Sequence, residues 1–276
     1  MQSLKVLSLT SSVNGWLANS RQPRVLHIFE HACNLISEHK DVLSVVTQGI
    51  GDGPFNLVVE NDVVFSEHLS IESPIVNSPN RFGLGDLIIN TQSARLWSPR
   101  PNWEVLHARR YDVRNLLANL PIANYESSVS NFQFSRLLAS ALANADLPAS
   151  ITAAQKLAGL GIGLTPSGDD FIMGAILAAW MIHPADAAEV LAMEVTEVAA
   201  PLTTSLSGAW LRAAGRGEAG ILWHQFFNAL LSADQTSIQE SVDKILSVGE
   251  TSGADALSGF VSSFAAWSVE ASTKHE

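Results

Sequence analysis

One cysteine stands in 276 residues. A single thiol excludes an intramolecular disulfide and a multi-thiolate zinc site, and Cys33 is expected to be a small buried hydrophobe rather than a nucleophile. Charge is scarce as well: only 16% of residues are charged, and 16 Lys and Arg against 27 Asp and Glu leave a formal charge of -11. Phosphate backbones are held by basic patches, so this balance excludes a nucleic-acid partner. Small anions are not excluded, because a pocket of backbone N–H groups binds them whatever the net charge. No run reaches the roughly 18 apolar residues of a membrane span. The opening MQSLKVLSLTSS lacks the apolar core of a secretion signal, so no membrane partner and a cytoplasmic location are expected. Among eight histidines there is no H-E-x-x-H pattern. His27 and His31, four apart, read as a helix-face pair without a third metal ligand.

What is present is concentrated in one run, GLGIGLTPSGDDF, Gly159 to Phe171. Gly159, Gly161 and Gly163 let the backbone adopt positive φ or come close to a neighbour. Thr165 is placed to cap a helix whose first residue is Pro166. Ser167, Gly168, Asp169 and Asp170 then fall in the first turn, where free N–H groups and the positive dipole end suit an anion, or a metal bound to one. The competing reading is a tight connection with ordinary acidic capping. No Lys follows the glycines, so the loop is not a Walker A motif. The G-x-G-x-G spacing without a β-α-β context is not a dinucleotide fingerprint either. Ser167 lies outside any G-x-S-x-G elbow and has no local His to activate it.

The segments around the motif predict an α+β protein. Hydrophobic content of 47% is that of a globular chain. Residues 1–103 read as a β-rich domain with one helix: runs at 42–47, 55–60, 63–65, 87–90 and 94–97 look like strands, Asn61-Asp62 like a hairpin turn, and 25–38 has helical spacing. The Pro-rich WSPRPNW marks a boundary. Residues 104–276 read as a larger all-α domain, with alanine- and leucine-rich patterns from 107–120 to 252–271. The stretch 171–182, apolar nearly all round, is expected to be its buried central helix.

Two further helix starts echo the first. One opens with Thr203, Thr204 and Ser205 and carries Arg212 one turn before Arg216; the other opens with Thr251, Ser252 and Gly253 and sets Asp255 in its first turn. Convergence of the three would surround a phosphate or carboxylate. Taken singly, each Ser/Thr cluster also reads as an N-cap, and the arginines as a solvated face. Asp169, Asp170 and Asp255 supply the oxygen ligands that Mg²⁺ prefers, and capping is the alternative role for them. Asp169 and Asp170 are the candidate catalytic residues. Gly161, Gly163, Thr165, Ser167, Gly168, Thr203, Thr204, Arg212, Thr251, Ser252 and Asp255 are the candidate ligand contacts.

These three segments resemble the AllH-like family, long catalogued as a domain of unknown function, whose pattern is a G-x-G-x-GLTPSGDDF loop, a Thr-Thr helix start and a G-x-(S/T)-SGAD segment. The resemblance covers the helical half. It implies a role like that of a subunit of bacterial oxamate carbamoyltransferase, which exchanges phosphate for oxamate on a carbamoyl group in anaerobic allantoin breakdown. It therefore implies small anionic metabolites and other subunits as partners. In the family the third segment often reads GHSSG, where this chain has Glu250 and Thr251. Two functions compete on this reading: an anion-handling enzyme or enzyme subunit, and a non-catalytic assembly or metabolite-sensing module.

Overall fold

The computed structural model describes residues 2–60, 63–78, 80–118, 127–130 and 132–268. It is α+β, as the sequence pattern predicts. Two compact units divide it: residues 1–100 with 219–221, and residues 101–218 with 222–276.

The first unit is a strand-rich, barrel-like sheet. Its strands are β1 (Gln2–Leu9), β2 (Arg24–Ile28), β3 (Ala32–Ile36), β4 (Val42–Thr47), β5 (Asn56–Val59), β6 (Ile75–Ser78), β7 (Arg81–Leu84), β8 (Leu87–Asn90) and β9 (Arg95–Leu96). They run in the order β2-β3-β4-β5-β1-β8-β7-β6, with β9 beside β1. Helix α1 (Ser11–Asn19) is capped by Thr10, whose hydroxyl accepts from the Val13 N–H. Leu4, Val6, Leu35, Leu43, Val45, Leu57 and Val59 point into one apolar core, following the two-residue period of the strands.

Several local expectations fail here for physical reasons. Residues 25–38 form the antiparallel pair β2 and β3, not a helix. The apolar spacing fits a helix only because a turn at Glu30-His31 interrupts the alternation. His27 and His31 therefore share no helix face. Cys33 is fully buried on β3, and burial pushes its thiol up to about 12. Phe65 starts a single helical turn, α2 (Phe65–His68), rather than a strand, and Asn61-Asp62 lies outside the described residues. β9 pairs with β1 in parallel instead of returning against β8.

The second unit is helical: α3 (Trp103–Ala108), α4 (Arg110–Ala118), α5 (Gln133–Ala143), α6 (Leu147–Leu157), α7 (Ser167–Ile182), α8 (Ala185–Ala199), α9 (Ser205–Gly215), α10 (Ile221–Ser232), α11 (Gln235–Leu246) and α12 (Ser252–Ala266). Of these α7 is the central one, buried at every position except Met173. Rings of Trp223, Phe226, Phe227, Phe260 and Phe264 pack edge-on and tilted beside it. Helices α7 and α12 meet backbone to backbone. A Cβ on Gly174 would lie 1.8 Å from the Ala256 carbonyl oxygen, and one on Gly259 would lie 2.1 Å from that of Phe171.

No side chain fits at either crossing point, because the obstacle is backbone. Gly174→Ala or Gly259→Ala is accordingly expected to lower the unfolding free energy by at least about 2 kcal/mol in urea titrations. Gly15→Ala, where nothing lies within 4 Å in helix α1, is expected to be neutral or stabilising by up to about 1 kcal/mol. Equal responses at the three glycines would refute this packing assignment.

Candidate functional site

The loop from Gly159 to Pro166 enters α7 with alternating backbone sign. Gly159, Gly161 and Gly163 have φ of 73°, 127° and 91°, while Leu160 and Ile162 between them do not take positive values. Alternation of this kind is the backbone pattern in which successive N–H groups can converge on an anion. The N–H groups of Gly161, Ile162, Gly163, Leu164 and Thr165 find no acceptor among the described residues. Gly161, Ile162 and Gly163 are exposed. Gly161 is also sterically required, since a Cβ there would stand 2.7 Å from the Ser167 nitrogen.

Helix α7 begins one residue later than the capping pattern predicts. Pro166 is the N-cap, and Thr165 makes no cap bond because its hydroxyl is 2.9 Å from that of Ser252. The other two helix starts come to the same place. Thr204 does cap α9, accepting from the Ser207 N–H at 3.1 Å, and its hydroxyl donates to the Leu164 carbonyl at 2.6 Å. The Thr203 and Ser207 hydroxyls both donate to Asp169. Thr251 is the N-cap of α12 without a side-chain bond. The three helix starts thus converge on the first turn of α7.

The two adjacent aspartates have different surroundings. Asp169 is almost fully buried and fully engaged: one oxygen accepts from the Gly159 N–H at 2.9 Å, the other from Thr203 and Ser207. Burial raises its proton affinity, and these three donors work against that. Asp170 is buried with its Oδ2 unpartnered, and Asp255 is buried with its Oδ2 unpartnered too. Burial, above all, pushes Asp170 up to about 8; the charges of Asp255 and Asp169 add to this, while the Ser252 and Thr165 hydroxyls oppose it. The Oδ1 of Asp255 accepts from the Ser127 hydroxyl at 2.7 Å and the Ser128 N–H at 2.8 Å.

Some predicted contacts have other roles. The Gly168 N–H donates to the Leu160 carbonyl, and a Cβ at Gly168 would collide with the Leu157 carbonyl at 2.0 Å, so this glycine serves close packing. Arg212 is half-buried, with its guanidinium folded back over Gly208 and no ion pair to the aspartates among the described residues. Glu250 lies exposed in the turn before α12. Among the described residues, no three His, Cys, Asp or Glu side chains gather as metal ligands. Ser127, Ser128 and Ser207 also belong to the network, and no local sequence pattern marks them. The signal that could have found α12's part is a repeat: Ser-Gly-x-Asp-x-x-x-Gly occurs at Ser167, Gly168, Asp170 and Gly174 and again at Ser252, Gly253, Asp255 and Gly259.

Two measurements check this electrostatic assignment. Folded Asp170 keeps its proton to about 8, whereas an ordinary aspartate releases it near 3.8. The folded state therefore binds more protons across that window, and stability falls as pH rises through it. The Tm is expected to drop by about 5 °C or more between pH 5 and 9, and Asp170→Asn to remove most of that drop; an unchanged slope in the variant would count against the assignment. Asp169→Ala strands three donors and is expected to cost about 3–5 kcal/mol in denaturant titrations, against less than about 1 kcal/mol if the network carries no weight.

No solved structure matches the chain. No helix among the described residues is long and apolar enough to cross a membrane. Residues 157–264 match the family model described as oxamate carbamoyltransferase subunit AllH. That segment runs from the end of α6 through all three helix starts and both Ser-Gly-x-Asp repeats, and over it the chain is similar to the AllH-like family.

Proposed function

We propose that the chain is a subunit that holds a small anion, a phosphate- or carboxylate-bearing metabolite, in a carbamoyl-transfer reaction like the one named for the AllH-like family. The observation that carries this reading is the run of unpaired N–H groups from Gly161 to Thr165 at the entry to α7, near a buried acid, Asp170, whose Oδ2 is unpartnered. Gly161, Gly163 and the N–H groups that they orient would receive the anion, assisted by the Ser167 hydroxyl. In transfer of a carbamoyl group, negative charge builds on oxygen in the transition state. Donors fixed by a rigid buried helix stabilise that charge without reorganising. Asp169 is spent on fastening the loop to α9, which leaves Asp170 and Asp255 as the carboxyl groups able to act on what enters.

A second reading has one observation in its favour. The Thr203 and Ser207 hydroxyls and the Gly159 N–H, donors that a ligand could have used, are already taken by Asp169. An assembly or sensing module needs nothing more than an anion that stiffens the loop. Turnover by the chain, alone or reconstituted with the other subunits that the family name implies, separates the two.

Calorimetric titration of the full chain with inorganic phosphate and with oxamate is the first test. Saturable binding is expected, weakened tenfold or more by Gly161→Ala and by Ser167→Ala. In the reconstituted enzyme, Asp170→Asn is expected to lower kcat by about a hundredfold, the range for loss of a positioned acid-base or charge-holding group. Full affinity and full activity in all three variants would refute the assignment.

A further inference from the structure

Helices α7 and α12 are related by a local two-fold pattern. In each, the glycine seven residues after the Ser packs on the carbonyl of the residue four after the other Ser: Gly174 on Ala256, and Gly259 on Phe171. In each, the glycine next to the Ser touches a carbonyl of the preceding helix: Gly168 that of Leu157, and Gly253 that of Ile245. Asp170 and Asp255 occupy the same place in the two repeats, three residues after the Ser, so the symmetry that sets the crossing also brings these carboxyl groups together. Asp255 acts on Asp170 through its charge. Both are more than nine-tenths buried, each has an unpartnered Oδ2, and no salt bridge among the described residues reaches either.

Burial holds Asp170 toward its neutral form, and ionising it beside Asp255 and an anion cradle would carry a large desolvation and repulsion cost. A divalent ion between the two carboxyl groups offsets that cost. We propose that Asp170 and Asp255, with the Thr165 and Ser252 hydroxyls, form a Mg²⁺ site that joins the two repeats and presents the metal to the anion held by the loop. The donor set is all oxygen. Mg²⁺ is commonly held by one or two carboxylates, completing its octahedron with water and a substrate phosphate, so a third carboxylate is not needed. Asp169 is excluded from the set because both its oxygens are in use. The inference rests on the anion-binding reading for the metal's partner, but not for its protein ligands.

The test uses the full chain stripped of metal by chelation. Thermal melts and calorimetry are run with MgCl₂ alone, with phosphate alone and with both; Mn²⁺ serves as a paramagnetic substitute whose relaxation reports an inner-sphere site. Mg²⁺ at 10 mM is expected to raise Tm by about 3 °C or more through ligand linkage and to tighten phosphate binding at least tenfold. Asp170→Asn and Asp255→Asn are each expected to abolish the Mn²⁺ signal, and Ser252→Ala to weaken it severalfold. Phosphate binding that is indifferent to Mg²⁺ would overturn the metal site and leave the anion cradle standing. Metal binding without phosphate binding would do the reverse. A Mg²⁺ response that survives both Asp variants would report the acidic surface and overturn the site; absence of any Mg²⁺ or Mn²⁺ effect on the wild-type chain would overturn it without recourse to variants.

Discussion

The backbone contact between α7 and α12 is the constraint on which the rest of the helical unit depends. Gly174 and Gly259 let the two helices approach until each carbonyl occupies the space of the other's missing side chain. At such separations a single methyl group cannot be accommodated without displacing a helix. The start of α12 is thereby fixed against the start of α7, and the bond between Thr165 and Ser252 follows from that placement. Helix α9 is tied to the same point by a different device, the carboxylate of Asp169 gathering Thr203 and Ser207.

This arrangement explains how a strongly acidic motif can adjoin a run of unpaired backbone donors. Asp169 is an internal anion: it takes the place that a bound phosphate would take at one helix start, and so holds the loop in shape. Asp170, one residue on, faces the other way into the α7–α12 junction, where burial favours its neutral form. Adjacent residues in a helix point about 100° apart, and here that angle separates a fastening role from a free one. The loop before them leaves the N–H groups of Gly161 to Thr165 without an acceptor among the described residues.

Much of this was legible in the chain. The alternation of glycines in GLGIG announced positive φ at every second position, and the apolar run after Phe171 announced a buried helix; both follow from local chemistry that needs no tertiary context. The convergence of three hydroxyl-rich helix starts was suggested by composition and required the structure to appear as geometry. Other features were hidden by their nature. Residues 25–38 carry a spacing common to a helix and to two short strands, and only the turn at Glu30-His31 distinguishes them. Thr165 looked like a cap because local rules cannot see Ser252 competing for its hydroxyl. Gly168 looked like a ligand contact because a glycine needed for packing on Leu157 and one needed for a ligand have the same letter. Ser127 and Ser128 reach Asp255 across more than a hundred residues of sequence, beyond any local pattern.

The central claim is that the Gly161–Thr165 amides form a preformed cradle at the mouth of α7. Amide-resolved ¹H–¹⁵N NMR of the labelled chain tests it most directly. Without ligand, the N–H groups of Gly161, Ile162, Gly163 and Leu164 should exchange rapidly with water; on titration with phosphate they should shift together, saturably, and gain protection. Phosphate-dependent shifts centred elsewhere in the chain, or slow exchange of these amides before any anion is added, would contradict the account.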